Sequence, residues 1–165
     1  MRKAYNKGFS FGVISGVITT VGLMMGLDSV TADANSSIAK LAVIGGILSI
    51  AIADAFSDAI AMHISQESDR ANSVKEIWQS TFSTFLAKLF VALTFLVPIL
   101  LMPLRTAIIV NIIWAFVLVI AFNYRLAKQR GEKVYSVIGE HVTIMLVVLI
   151  LTYYAGKIIA YYFGA

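Results

Sequence analysis

With 165 residues, 59% of them hydrophobic and 13% charged, and a mean hydropathy of +0.87, the chain is too apolar for a water-soluble domain, which carries about 25% charged residues. The net charge of +4 does not point to nucleic acid, because the basic residues sit in short loops between apolar segments, without a basic stripe or interleaved aromatics. Cysteine is absent, which excludes disulfides, thiolate metal sites and cysteine nucleophiles. No linker-like run divides the sequence, so one domain is expected.

The N-terminus, M-R-K-A-Y-N-K-G, resembles the start of a signal peptide, but no small-residue cleavage site follows a short apolar run, so the first apolar segment is expected to be retained. That segment, 8–30, is long enough to cross a bilayer, which takes about 20 residues. Gly8, Gly12 and Gly16 recur every four residues, a spacing that admits a closely packed partner, either a helix of the same chain or a second copy. Segment two, 38–63, follows the loop T-A-D-A-N-S-S, in which Ser36 or Ser37 is a candidate helix cap. The polar stretch 64–80 has no proline or glycine, so the helix is expected to project from the membrane or turn along its surface, with Trp78 at the interface.

Segment three, 82–102, carries Lys88 near its start, where a long side chain reaches the headgroups, and Pro98 and Pro103 near its end. A very short turn makes segment four, 105–124, its antiparallel neighbour, with Asn111 expected in an interhelical hydrogen bond. The basic loop R-L-A-K-Q-R-G-E-K precedes segment five, 137–163, whose tyrosines and Lys157 suit an interface. Counting Lys88, ten of the thirteen basic residues fall on the side of the N-terminus; Lys40, Arg105 and Lys157 fall on the other. The expectation is an all-α integral membrane protein of five transmembrane helices, with a cytosolic N-terminus and the C-terminus outside; composition does not distinguish a cell membrane from an organelle membrane.

Within segment two, Asp54, Asp58 and Met62 stand four residues apart and share one helix face. An ionised carboxylate at mid-membrane costs at least about 2.5 kcal/mol, so two acids there point to a polar, functional pathway; the plainer alternative is a carboxylate that holds a neighbouring helix. Asp54 and Met62 are roughly 12 Å apart along the axis, too far to share one ion, and a ladder of partial sites is the expectation. Carboxylate oxygens with a softer thioether favour Fe2+ over Mg2+ or Ca2+, although Met62 alone reads as core packing. His63 is a candidate ligand, proton acceptor or capping group at the same edge. Glu140, beside His141, opens segment five as a helix cap or a metal-entry group. Gln66, Glu67 and Asp69 form a small polar cluster after segment two. No pattern for nucleophilic catalysis or nucleotide binding is present, so neither an enzyme nor an ATP-driven pump is expected, and no cofactor is called for.

The run S-G-V-I-T-T-V-G-L-M-M-G-L in segment one resembles the D-G-L-V-S-T-x-G-L-V-x-G motif of the vacuolar iron transporter family, and A-D-A-F-S-D-A-I-A-M in segment two resembles its A-E-I-A-A-G-S-I-S-M. The resemblance extends in length and character over nearly the whole chain. It implies a homodimer that moves Fe2+ or Mn2+ out of the cytosol, in exchange for protons, along a path lined by the first two helices. It places Asp54 on the family's acidic position and Met62 on its methionine. Asp58 replaces a small residue and Ser15 replaces the family's aspartate, so Asp58 is expected to supply the missing charge. The glutamate-rich cytosolic domain that many members insert after the second helix is replaced here by about fifteen polar residues. The rival expectation, from a different class, is a non-transporting assembly or sensor protein whose acids hold helices together.

Overall fold

A computed structural model describes residues 2–32, 36–69 and 71–163. Six helices account for them: α1 (Arg2–Val30), α2 (Ser36–Glu67), α3 (Val74–Thr94), α4 (Leu96–Leu101), α5 (Leu104–Arg130) and α6 (Val134–Phe163), with no strand among the described residues. α3 and α4 form one apolar run, Val74–Leu101, so the chain has five helical segments long and apolar enough to cross a membrane. It is an all-α integral membrane protein, and the apolar residues on its outside, such as Leu41, Ile52, Phe82, Phe90, Ile113 and Leu151, face lipid. Five crossings put the N-terminal end of α1 and the C-terminal end of α6 on opposite faces.

Several helices are longer than their apolar cores. α3 begins at Val74, eight residues before the expected 82, because the Glu76 carboxylate accepts the Ser73 N–H (3.2 Å) and Oγ–H (2.7 Å) and so starts a helix within the polar stretch. α2 accordingly stops at Glu67, and the turn that follows is held by Asn72, whose amide donates to the Gln66 carbonyl at 2.9 Å. α6 begins at Val134 rather than 137, and α2 at Ser36, so Ser36 and Ser37 belong to its first turn; the position before them lies outside the described residues, as does Arg70. The break between α3 and α4 is caused by Pro98, which has no N–H to give the Thr94 carbonyl. There Asn111 of α5 donates to the Phe95 carbonyl at 2.9 Å, the interhelical bond expected of it. On the face shared by the α1–α2 and α4–α5 connections, Lys40 caps the end of α4 by donating to the Met102 carbonyl at 3.1 Å.

The glycine repeat of α1 is an internal seam. Gly8, Gly12 and Gly16 lie directly on α3, against Ser80 and Ser83, Thr84 and Ala87, and Lys88. A Cβ on Gly12 would stand 2.5 Å from the Thr84 carbonyl oxygen, so the two backbones touch. Ser83 and Thr84 hydroxyls donate across the seam to the carbonyls of Tyr5 and Gly8, each at 3.1 Å. α6 docks on the other half of α1, where Gly22 and Gly26 face Val148 and Thr152.

The bundle is divided lengthwise. The half away from the N-terminal face is filled by an apolar core of Val17, Val21, Met24, Val43, Ile47, Phe95 and Ile99, joined by Met145 of α6. The half towards the N-terminal face is lined by small and hydroxyl side chains of α1 and α3 and by the acidic stretch of α2. Ser15, Asp54, Asp58 and Lys88 sit where the two halves meet.

Candidate functional site

Lys88 stands fourteen residues after Val74 and thirteen before Leu101, so it is at mid-depth, about 20 Å of helix from either end. Its position in the sequence suggested a side chain reaching the headgroups; instead it is 1% exposed, the largest fully buried side chain among the described residues. The reason is the face it occupies. Ser80, Thr84 and Lys88 follow one another at four-residue spacing along the glycine seam, whereas Phe82, Leu86 and Phe90 take the lipid side. An ammonium buried at that depth needs acceptors for three N–H groups. It has three: the Ser15 hydroxyl at 2.9 Å, the Asp54 carboxylate at 2.6 Å, and the Asp58 carboxylate.

The acids arrive on α2 because their spacing of four places them on one edge, next to the buried stripe of Ala51, Ala55 and Ala59. Alanines there let α2 approach α3, and the carboxylates then reach across to Lys88. Ser15 of α1 closes the group by donating its hydroxyl hydrogen to Asp58 Oδ2 at 2.6 Å. Three helices therefore meet at one ammonium. The carboxylate side chains keep an open side, 33% exposed at Asp54 and 20% at Asp58, while the Lys88 side chain has almost none, 2%. Two carboxylates against one ammonium leave a formal charge of −1.

The remaining expected site residues lie elsewhere. Met62 is one turn beyond Asp58 and is buried, on the packing stripe that runs on to Gln66. His63 is no helix cap, since α2 continues for four more residues; its Nδ1 lies 3.0 Å from the Thr81 hydroxyl of α3, and its ring meets Trp78 edge-on. The same Thr81 hydroxyl lies 2.8 Å from the Ile77 carbonyl, so it ties His63 to the α3 backbone. Glu140 is the seventh residue of α6 and exposed, so it does not cap that helix, and it is not brought to the acids. His141 bonds within its own helix, Nδ1 to the Val137 carbonyl at 2.9 Å. Of the polar cluster that follows the second apolar segment, Gln66 is buried in the last turn of α2 and Asp69 accepts the Ala71 N–H at 3.1 Å in the turn beyond it. Among the described residues, no three His, Cys, Asp or Glu side chains come together as a metal-binding group.

A second polar region opens on the face opposite the N-terminus. A cleft of about 730 Å3 is lined there by Asp28, Ser29, Thr31, Arg105, Tyr153 and Lys157. Asp28 is thirteen residues along α1 from Ser15, about 20 Å, and the apolar core lies between.

Lys88 is the member of this group that the sequence reading missed. The signal was present in the repeat Ser80, Thr84, Lys88, which matches Gly8, Gly12, Gly16 residue for residue in spacing. No family model, no curated protein and no solved structure matches the chain.

Proposed function

We propose that the chain is a secondary transporter that moves a divalent transition-metal ion, Fe2+ or Mn2+, from the cytosol to the opposite side of its membrane in exchange for protons. The observation that carries this reading is the charge imbalance at mid-depth. A structural ion pair needs one acid for Lys88, whereas here two carboxylates converge on it, retain an open side and leave a net negative charge that attracts a cation.

The resemblance to the vacuolar iron transporter family adds support. Ser15 stands at that family's helix-one aspartate, and Asp58 bonds to Ser15, so the charge missing from α1 is supplied from α2 at the same point. In this reading Asp54 and Asp58 hold the ion, Ser15 lines the path, and Met62 offers a softer ligand one turn nearer the N-terminal face. The basic residues of the N-terminal face put that face in the cytosol. The polar half of the bundle is then the entry, the apolar core the barrier, and the cleft beside Asp28 the exit. A second copy of the chain fits the outer side of α2, where Gly45, Ser49, Ala53, Ser57 and Ala61 form an exposed row of small residues beside the acids.

One observation favours the rival reading, an assembly or sensor protein: Lys88 satisfies both acids and ties α1, α2 and α3 together. The two separate in proteoliposomes with an imposed pH gradient. Transport predicts Fe2+ or Mn2+ flux that follows the gradient and is lost in Asp54→Asn. Folded protein with no metal flux under any gradient overturns the transporter.

A further inference from the structure

If the carboxylates of α2 are the cation site proposed above, then the structure already holds a cation there. We propose that Lys88 is a tethered competitor: its ammonium occupies the Asp54–Asp58 pair when no transported ion is bound, must be displaced for that ion to enter, and thereby keeps weakly bound monovalent cations from filling the site.

The argument begins with the oxygen atoms. Lys88 Nζ takes Oδ2 of both aspartates and the Ser15 hydroxyl, and Ser15 gives its own hydrogen to that same Asp58 Oδ2. A metal ion bridging the two acids would approach their oxygens more closely than an ammonium does, zinc for example to about 2.0–2.2 Å, in the space beside an ammonium that has one of those oxygens at 2.6 Å. Two positive centres so close, away from water, repel strongly. Occupation by one therefore works against the other.

The surroundings allow exchange. The acids have an open side and the ammonium does not, so an arriving ion meets carboxylate first and competes with Lys88 from that side. Lysine suits this role better than arginine, because its charge is a point on a four-carbon stem and forms no planar fork that would clasp both carboxylates. Next to the ammonium, α1 presents Ser15, which is uncharged, and α2 presents Asp54 and Asp58; no other charged side chain has a contact with it among the described residues.

Charge then sets selectivity. A monovalent ion displacing Lys88 replaces one unit charge by another and gains nothing in Coulomb energy, while losing its hydration. A divalent ion brings twice the charge to the same two carboxylates. The competitor lowers the affinity of both kinds of ion by the same factor, so the weakly held monovalent ion falls below occupancy while the divalent ion still binds; a pair of acids without the lysine would let monovalent ions compete.

The test measures Mn2+ binding to the full chain in detergent from the loss of the free-ion electron paramagnetic resonance signal. Ionic strength is held with N-methylglucamine chloride and then with NaCl. Lys88→Gln is expected to bind Mn2+ at least tenfold more tightly than the natural chain and to lose affinity when Na+ replaces N-methylglucamine, while the natural chain is indifferent to Na+. Lys88→Arg, which keeps the charge should Lys88→Gln fail to fold, is expected to bind Mn2+ more weakly than the natural chain. Equal Mn2+ affinity in the natural chain and Lys88→Gln, or unchanged or tighter binding in Lys88→Arg, overturns the competitor while leaving the cation site in place. No Mn2+ binding by any of the folded proteins overturns the cation site itself, and the competitor with it.

Discussion

Ser15 is the smallest member of the central group and the one whose contribution is simplest to isolate. It accepts from Lys88 and donates to Asp58, so its hydroxyl serves two charged partners at once. Hydrogen bonds to charged groups contribute about 1.5–3 kcal/mol each, and removing a partner from a poorly hydrated site adds the cost of the orphaned group. Ser15→Ala should therefore lower stability by about 2–3 kcal/mol, read as a fall in the thermal midpoint in detergent, whereas Ser136→Ala, exposed in the first turn of α6, should leave it within about 0.5 kcal/mol. A Ser15→Ala midpoint equal to that of the natural chain would mean that the hydroxyl is not part of the network. At this scale the acids were legible and the lysine was not. Asp54 and Asp58 announce themselves by charge within an apolar run and by their spacing of four. Lys88 was misplaced because the polar residues 74–80 read as a connecting stretch, which put it six residues into a helix; the Ser73–Glu76 cap starts that helix eight residues earlier and carries Lys88 to mid-depth.

Among the elements, α1 and α3 form the closest pair. At Gly8 and Gly12 their contact has no large side chain to adjust, since these glycines face the Ser80 and Thr84 backbone, the Ser83 hydroxyl and the Ala87 methyl. Gly12→Leu must separate the helices and break the bond from Thr84 to the Gly8 carbonyl, and a cost above about 3 kcal/mol, at or beyond the upper end of overpacking penalties, is expected. Gly139→Ala is the matching control. A Cβ there meets nothing within 4 Å, and replacing glycine within a helix should be neutral or stabilise by up to about 1 kcal/mol. Thermal unfolding of the two variants checks both; equal midpoints would remove the seam from the account. The repeat of four in α1 showed from sequence that something packs closely there, but not whether the partner was α3 or a second copy. Small residues shape both kinds of contact alike, and only the matching row Ser80, Thr84, Lys88 on α3 distinguishes them.

For the whole molecule, the five apolar segments and their order were legible because about 20 apolar residues have no other use than crossing a bilayer. Their ends were not, since a helix continues into the interface wherever a cap or a charged side chain satisfies its backbone. The crossings alternate, which makes a topology prediction simple to check in a chain without cysteine. Single cysteines placed at Ser68, in the α2–α3 turn, and at Ala32, after α1, should react with a membrane-impermeant thiol reagent from opposite sides of sealed vesicles; labelling of both from one side would contradict five crossings. The order in which the central group is threaded along the chain also bears on biosynthesis. Ser15 and both aspartates precede Lys88, so during synthesis α2 must enter the membrane with two acids and no counter-charge, at about 2.5–3.5 kcal/mol for each if ionised. α3, emerging later, brings its lysine to acceptors that are already waiting, and the nascent chain gains its central ion pair only when the third crossing is made.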